Sequence, residues 1–298
     1  MWDELEFALS LTVSGLSIGL MYSLIALGFV LVYKATDAIN FAQGEFVMLA
    51  GFVAAVTLSY EGMPALAGVA AAIAVMVLFS FALERIVLRQ LLGRPIIAVI
   101  MATIGLGAML RGLPPITVGG ETRALPLPIG DTPITLGPAS LPPIQVAGII
   151  VTFAMLGIFT WFFLKSRMGI AMRAVADNQQ VAMAMGINVE RYFALAWAMA
   201  GIVSALGGVI WGSMLGVDVH LALIGLKVFP VVILGGLDSI VGAVVGGLII
   251  GLIESLAAGY LDPFVGGGTK DFAPYVLMIV ALMIRPYGIF GKRIIERV

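Results

Sequence analysis
Long unbroken apolar runs, each ended by a short polar or glycine- and proline-containing break, set the reading of this chain. A membrane-spanning helix needs about 20 mostly apolar residues. Runs of that kind fall near residues 9–32, 40–59, 65–83, 96–113, 143–164, 192–214, 221–237, 239–258 and 273–290. The seventh and eighth are parted only by Asp238 and contain Pro230, Gly235, Gly236 and Gly242. One of them is therefore open to being a broken or re-entrant helix, and the expected count is about eight or nine. The pattern predicts an all-α, polytopic transmembrane bundle, with residues 1–298 as a single transmembrane domain. The runs are continuous, which excludes the roughly ten-residue alternating segments of an outer-membrane barrel.

Composition agrees. The chain is 61% hydrophobic and 11% charged, where a soluble domain carries about 25% charged residues. There is no cysteine, and His220 is the one histidine, so thiolate and imidazole metal chemistry have little to build on. The start, MWDELEF, is acidic and lacks the basic region of a cleaved signal peptide. The first apolar run is expected to be a retained helix.

The basic residues orient the bundle. Lys34 follows the first span; Arg85, Arg89 and Arg94 lie between the third and fourth. Lys165, Arg167, Arg173 and Arg191 lie in one loop, and Arg285, Lys292, Arg293 and Arg297 end the chain. With nine spans and an outside N-terminus, these twelve face the cytoplasm. Arg111, Arg123 and Lys270 fall outside, and Lys227 within a span. The bias predicts N-terminus out and C-terminus in. The outer segment 114–142 is rich in proline, from Pro114 and Pro115 to Pro142, and Pro143 follows. It is expected to be a turn-rich loop without a long helix. No tandem repeat is visible.

The loop 165–191 is the longest stretch that a bilayer would not accept, and it carries a short punctuated helix. Asp177 is placed to cap its start, Gln180 follows at capping-box spacing, and Gly186 supplies a stop. Such a helix on the cytoplasmic face reads as a docking knob for a soluble partner. Asp177, Asn178, Val181, Met185 and Gly186 are its candidate residues.

Polar groups inside the apolar runs are the candidates for a translocation path. Asn40, Gln43 and Glu45 open the second span, and Asn40 and Gln43 share a helix face. Groups of this kind face a bundle interior or a wet cavity, lining a path or gate, or else fixing helix packing by hydrogen bonds. Lys227 lies within the seventh span, and Glu254, within the eighth, is a possible partner for it. Asp218 and His220 are expected in a solvated external turn. No chain of ionisable groups runs through the membrane, which argues against proton coupling. No catalytic constellation appears, and the phosphate-cradling sequence G-x-x-x-x-G-K-[ST] is absent. Gly266-Gly267-Gly268-Thr269-Lys270 has the wrong order and spacing. Active transport would draw its energy from a partner or an ion gradient.

Three stretches resemble the inner-membrane permease of branched-chain amino-acid ABC importers, the leucine/isoleucine/valine type. The first runs from Gly15 through Gly28 into Ala38-Ile39-Asn40-Phe41-Ala42-Gln43-Gly44-Glu45. The second joins Arg173-Ala174-Val175-Ala176-Asp177-Asn178 to Ala184-Met185-Gly186-Ile187-Asn188. The third is Leu234-Gly235-Gly236-Leu237-Asp238-Ser239-Ile240-Val241-Gly242-Ala243, followed by Arg285-Pro286-Tyr287-Gly288-Ile289-Phe290-Gly291. The resemblance implies a multi-pass protein of the bacterial inner membrane, surrounded by lipid. It implies a second homologous permease, two ATPase subunits that bind ATP, and a periplasmic substrate-binding protein as partners. It implies no catalysis, no cofactor in this chain and no nucleic acid. Asp177 to Gly186 would be the coupling helix. The sequence departs from the family's pattern at Gln43, where many relatives carry His: the side chain stays polar but cannot titrate. The resemblance implies transport of branched-chain or other hydrophobic amino acids; the family also serves urea, short amides and other amino acids. An ion-coupled secondary carrier, a passive channel and a membrane enzyme are the rival classes.

Overall fold
The computed structural model describes residues 2–60, 62–91, 94–130 and 132–291. The expected placement of Lys292, Arg293 and Arg297 lies outside the described residues. The helices are α1 (Trp2–Thr36), α2 (Gln43–Leu58), α3 (Ala65–Ile86), α4 (Ile96–Thr117), α5 (Pro143–Lys165), α6 (Arg167–Asp177), α7 (Gln179–Ala184), α8 (Val189–Leu215), α9 (Leu223–Gly235), α10 (Ile240–Tyr260), α11 (Asp262–Val265) and α12 (Thr269–Ile284). Among the described residues six helices are long and apolar enough to cross a membrane, and α2 and α9 are shorter apolar helices. At 1.5 Å per residue, the 16 residues of α2 and the 13 of α9 cover about 24 Å and about 20 Å. A hydrocarbon core is about 30 Å thick.

The proline-rich segment 114–142 is more regular than expected. Pro114 and Pro115 sit inside the last turn of α4, which runs on to Thr117; with residues 110 and 111 already helical, the lost hydrogen bonds fall where the helix is ending. Pro143 is the first residue of α5, where a missing N–H costs nothing. Between them, β1 (Ile134–Leu136) and β2 (Ala139–Leu141) pair antiparallel, with Leu136 opposite Ala139.

Contacts sort the chain into two compact units. One comprises the chain up to Ala26, Ile129–Phe153 and the chain from Leu226. Here α1 and α10 run antiparallel at backbone contact. A Cβ on Gly19 would lie 2.4 Å from the Gly247 carbonyl oxygen, and one on Gly251 would lie 2.3 Å from that of Gly15. Small residues let membrane helices approach this closely, so that packing replaces a hydrophobic drive that lipid removes. Ser255 adds a tie by donating to the Leu11 carbonyl at 2.7 Å. Helix α9 also runs antiparallel to α10, with Gly235 against Gly242 and Val231 against Gly246. After α12 the chain turns back: Ile289 N–H donates to the Leu234 carbonyl at 2.8 Å and Phe290 N–H to that of Gly235 at 3.0 Å. The turn between α10 and α12 is held by Asp262, which accepts from the Thr269 N–H at 2.8 Å and from its hydroxyl. These hydrogen bonds hold the Asp262 carboxyl below its usual pKa. The tie is thus present at neutral pH and fades as pH falls through that lowered value.

The second unit comprises Leu27–Pro128 and Ala154–Gly225. Helix α2 is enclosed by α3 and α8. Phe46, fully buried, meets Phe79 edge-on at 5.4 Å and Trp197 at 6.0 Å. Helices α2 and α8 run parallel, Gln43 beside Ser204 and Val47 against Gly208. Ser204 lies 15 residues into α8, about 22 Å along it. Helix α2 therefore starts within the bilayer's depth rather than at its edge. Large apolar side chains remain exposed on α3, α4 and α5, among them Leu78, Ile116 and Trp161. On a water-soluble monomer such faces would be an aggregation liability; toward lipid they are in their own solvent.

Replacing Gly19 by alanine should cost about 1–3 kcal/mol, because a backbone carbonyl stands where the methyl must go. Gly157 has open space around it, so Gly157→Ala should be neutral. Thermal unfolding of the two variants in detergent checks the difference.

Candidate functional site
The loop that follows α5 is more structured than its sequence suggested. Ser166 caps α6, its hydroxyl accepting from the Gly169 N–H at 2.8 Å. Asp177 does not start the next helix: it is the last residue of α6, and Asn178 is the N-cap of α7. Asn178 Oδ1 accepts from the Val181 N–H at 3.0 Å. The correction has a simple cause. Asp177 still has helical partners behind it, so the break falls one residue later, where Asn178 is extended (φ −160°, ψ 107°). The stop at Gly186 is as expected, with φ +80°. Ile187 N–H reaches back to the Ala182 carbonyl and Gly186 N–H to that of Met183, both at 3.0 Å. That pair of bonds is the Schellman ending.

The surface of this short helix is unusual for its size. Ala182 is buried, while Val181, Met183 and Met185 are exposed by 57%, 56% and 77%. Three apolar side chains thus stand out on a helix flanked by Arg173, Asp177 and Arg191. Ala182 anchors it and Asn188 caps the following α8 by accepting from the Arg191 N–H at 3.1 Å. Both ends are fixed, so the apolar tip is presented on a firm base.

Among the intramembrane polar residues, Asn40, Gln43 and Ser204 form one network. Asn40 Nδ2 donates to Gln43 Oε1 at 3.2 Å, and Gln43 Nε2 donates to Ser204 Oγ at 2.9 Å. Asn40 and Gln43 are fully buried. Gly28 makes room for Gln43: a Cβ there would lie 2.0 Å from Nε2. The network also serves backbone. A helix start leaves N–H groups without partners, and here the start lies within the bilayer's depth. Asn40 Oδ1 accepts from the Ala42 N–H at 3.1 Å, and Thr103 Oγ1 accepts from that of Phe41 at 3.3 Å.

Glu45, buried, pairs with Arg111 of α4, whose side chain is about half exposed. Arg111, counted from sequence among the outer charges, lies within α4, and its long stem carries the guanidinium to a buried carboxylate. Gly107, one turn before, leaves space for Glu45. In the other unit, Lys227 and Glu254 do pair, at 3.4 Å, and Asp271 of α12 binds Lys227 more closely, at 2.7 Å. Tyr22, almost fully buried, also hydrogen-bonds Glu254. Asp218 caps the turn before α9, accepting from the His220 N–H at 2.8 Å and from Thr122 Oγ1 at 3.0 Å. Sequence reasoning missed Ser204, Thr103, Arg111, Asp271 and Tyr22. Arg111 carried a signal, a lone charge in an apolar run; a serine among the glycines and alanines of α8 carried almost none.

Removing one partner of the Glu45–Arg111 pair strands a buried charge. Discounted for the exposure of Arg111, Arg111→Met should cost about 1–3 kcal/mol. Adding Glu45→Gln should restore part of it. A double-mutant cycle on unfolding in detergent reads the coupling directly.

Residues 11–284 match the family described as branched-chain amino acid transport system, permease component. The chain is 31% identical over 313 residues to LivH of Escherichia coli, the high-affinity branched-chain amino acid transport system permease protein, covering 100% of both chains. It is 31% identical to the corresponding protein BraD of Pseudomonas aeruginosa, over 99% of each. A probable branched-chain amino acid transport permease protein of Methanocaldococcus jannaschii is 29% identical, over 90% of this chain and 88% of that one.

Proposed function
The chain belongs to the permease-component family of branched-chain amino acid transport systems, and on that premise we propose that it forms one half of a translocation unit driven by separate ATPases. It is a multi-pass inner-membrane transport subunit for branched-chain amino acids and not an enzyme. The observation that carries the coupling mechanism is α7, a rigidly capped helix that exposes Val181, Met183 and Met185. It fits an apolar groove on an ATPase subunit. ATP binding and hydrolysis there would move α7 and rock the bundle between outward-open and inward-open states. A second permease completes the path, and an external binding protein selects the ligand.

The orientation is N-terminus outside with nine crossings: the six long apolar helices together with the shorter α2, α9 and α12. Three observations support it. Helix α2 runs alongside α8 and α4 alongside α2, all in the same direction, α3 runs against α8, and α1, α9 and α12 run against α10. Chain order then brings Lys34, Arg85, Arg89, Lys165, Arg173 and Arg191 to the side that carries α7. Of the path candidates, Glu45 with Arg111 in one unit and Lys227 with Asp271 in the other each reach an exposed partner, which supports a path-facing role for each pair within its own unit. Asn40 and Gln43, fully enclosed, hold the start of α2 against α8.

Val181→Asp with Met185→Asp should leave the fold intact, since both positions are exposed. ATPase capture and leucine uptake by reconstituted vesicles should fall by about tenfold or more. Gly186→Val should act likewise, through the strained φ rather than through a clash. Full ATPase capture and uptake by a stable double variant would overturn the docking role.

A further inference from the structure
A cavity of about 200 Å³ lies within the second unit, behind α7. It is far larger than the roughly 10–15 Å³ one water needs and smaller than the roughly 300–1,000 Å³ of drug-sized pockets. Its size suits a small metabolite. Its walls come from five places: the turn after α1, the end of α3 and its following turn, the start of α4, α7 and α8.

The charges in the wall set the class of ligand. Glu84 is buried and already paired, since Arg89, which also binds Glu190 at 2.9 Å, donates to both its oxygens, at 3.2 and 2.9 Å. Asp37 and Arg94 are different. Both line the cavity while remaining exposed to solvent, and among the described residues neither forms an ion pair, with each other or with anything else, so both are free to meet a ligand entering from water. Asp37 also holds φ +55°, the one positive value outside glycine among the described residues. It directly follows the last residue of α1, with its N–H donating to the Tyr33 carbonyl at 2.8 Å, so the left-handed turn that ends α1 carries this carboxylate to the cavity. The remaining wall is apolar: Leu88, Leu91, Phe193 and Trp197.

A cation would leave Arg94 unmatched, an anion would leave Asp37 unmatched, and a lipid tail would leave both. A zwitterion with an apolar side chain satisfies all three parts of the wall. We propose that this cavity binds a free α-amino acid with a medium-sized apolar side chain. The α-ammonium meets Asp37, the α-carboxylate meets Arg94 in the two-pronged manner suited to guanidinium, and the side chain lies between Leu88 and Trp197. Gln179, the first residue of α7, is part of the same wall. Occupancy therefore ties the docking helix to α8 and opposes its movement. On the reading of this chain as an amino-acid importer subunit, which this consequence rests on, the accumulated product restrains its own import from the ATPase side.

The test uses the assembled transporter in nanodiscs without the binding protein, titrated with L-leucine and followed by calorimetry. Saturable binding is expected. Leucine amide and 4-methylpentanoate, each lacking one charged group, should bind at least about tenfold more weakly, as should glycine, which lacks the side chain. Asp37→Asn, which keeps a residue tolerant of positive φ, and Arg94→Gln should each weaken leucine binding by about tenfold or more. ATPase activity stimulated by loaded binding protein should fall severalfold with leucine on the ATPase side, and both variants should lose that inhibition while still importing. Leucine binding unchanged in both variants would overturn the site. So would a complex that imports leucine yet binds none from the ATPase side, and that result would leave the importer reading standing. Failure to capture ATPases would sink the importer reading instead, and binding to the permease alone would still decide the site.

Discussion
A helix that starts inside a bilayer has no water to take up its first N–H groups, so protein must supply the partners. Much of this structure follows from that requirement at the start of α2. Asn40 and Thr103 accept from the two N–H groups just ahead of the helix. Gln43 then bridges Asn40 to Ser204, and Gly28 leaves it room. Each such hydrogen bond contributes modestly, about 0.6 kcal/mol on average between membrane helices. Leaving a buried amide unpaired costs about 1–3 kcal/mol. The network is kept by the cost of breaking it more than by the gain from making it.

The glycines answer a second need. Polar ties locate a few points, but helices in lipid gain contact area only by approaching closely. Along α1 and α10 the contact is backbone on backbone, through Gly15, Gly19, Gly247 and Gly251. Gly236 and Gly288 do something else. Both have positive φ, and a Cβ on Gly236 would strike Gly291 while one on Gly288 would strike the Ile233 carbonyl. They let the chain after α12 pair with the end of α9. Two stretches that look separate in sequence, Leu234-Gly235-Gly236 and Tyr287-Gly288-Ile289-Phe290, are one structural feature.

Apolar runs made the helical bundle legible, because run length and span length share one physical cause. The shortening of α2 and α9 was only partly legible. Glycine and proline marked the neighbourhood of α9, whereas the run over 40–59 looked long enough to cross until its first residues proved to be a polar turn. Gly186 was readable because a positive φ has few occupants, and the Lys227–Glu254 pair because two lone charges in apolar runs need each other. Their third partner, Asp271, was hidden because an acid near a helix start is ordinary in sequence. Asp177 and Asn178 show the limit at single-residue scale: both are good caps, and the choice depended on where α6 ended.

The placement of charge bears on how such a subunit divides labour with its partners. The buried network of Asn40, Gln43 and Ser204 carries no formal charge, and the buried acids Glu45 and Glu254 are each matched by a partly exposed cation. A path bordered by such pairs offers a zwitterion little to bind tightly, and weak binding lets it leave. On the proposed reading, selection would then fall to the external binding protein, where a tight site does not slow release. The apolar tip of α7 is the opposite case. It is held by caps at both ends and aimed outward, so force applied there reaches α8 through Asn188 without first being absorbed by a loose loop. On the proposed reading, such a permease would be stiff where it is pushed and weakly attractive where its cargo passes, and both properties would follow from which polar groups are already satisfied.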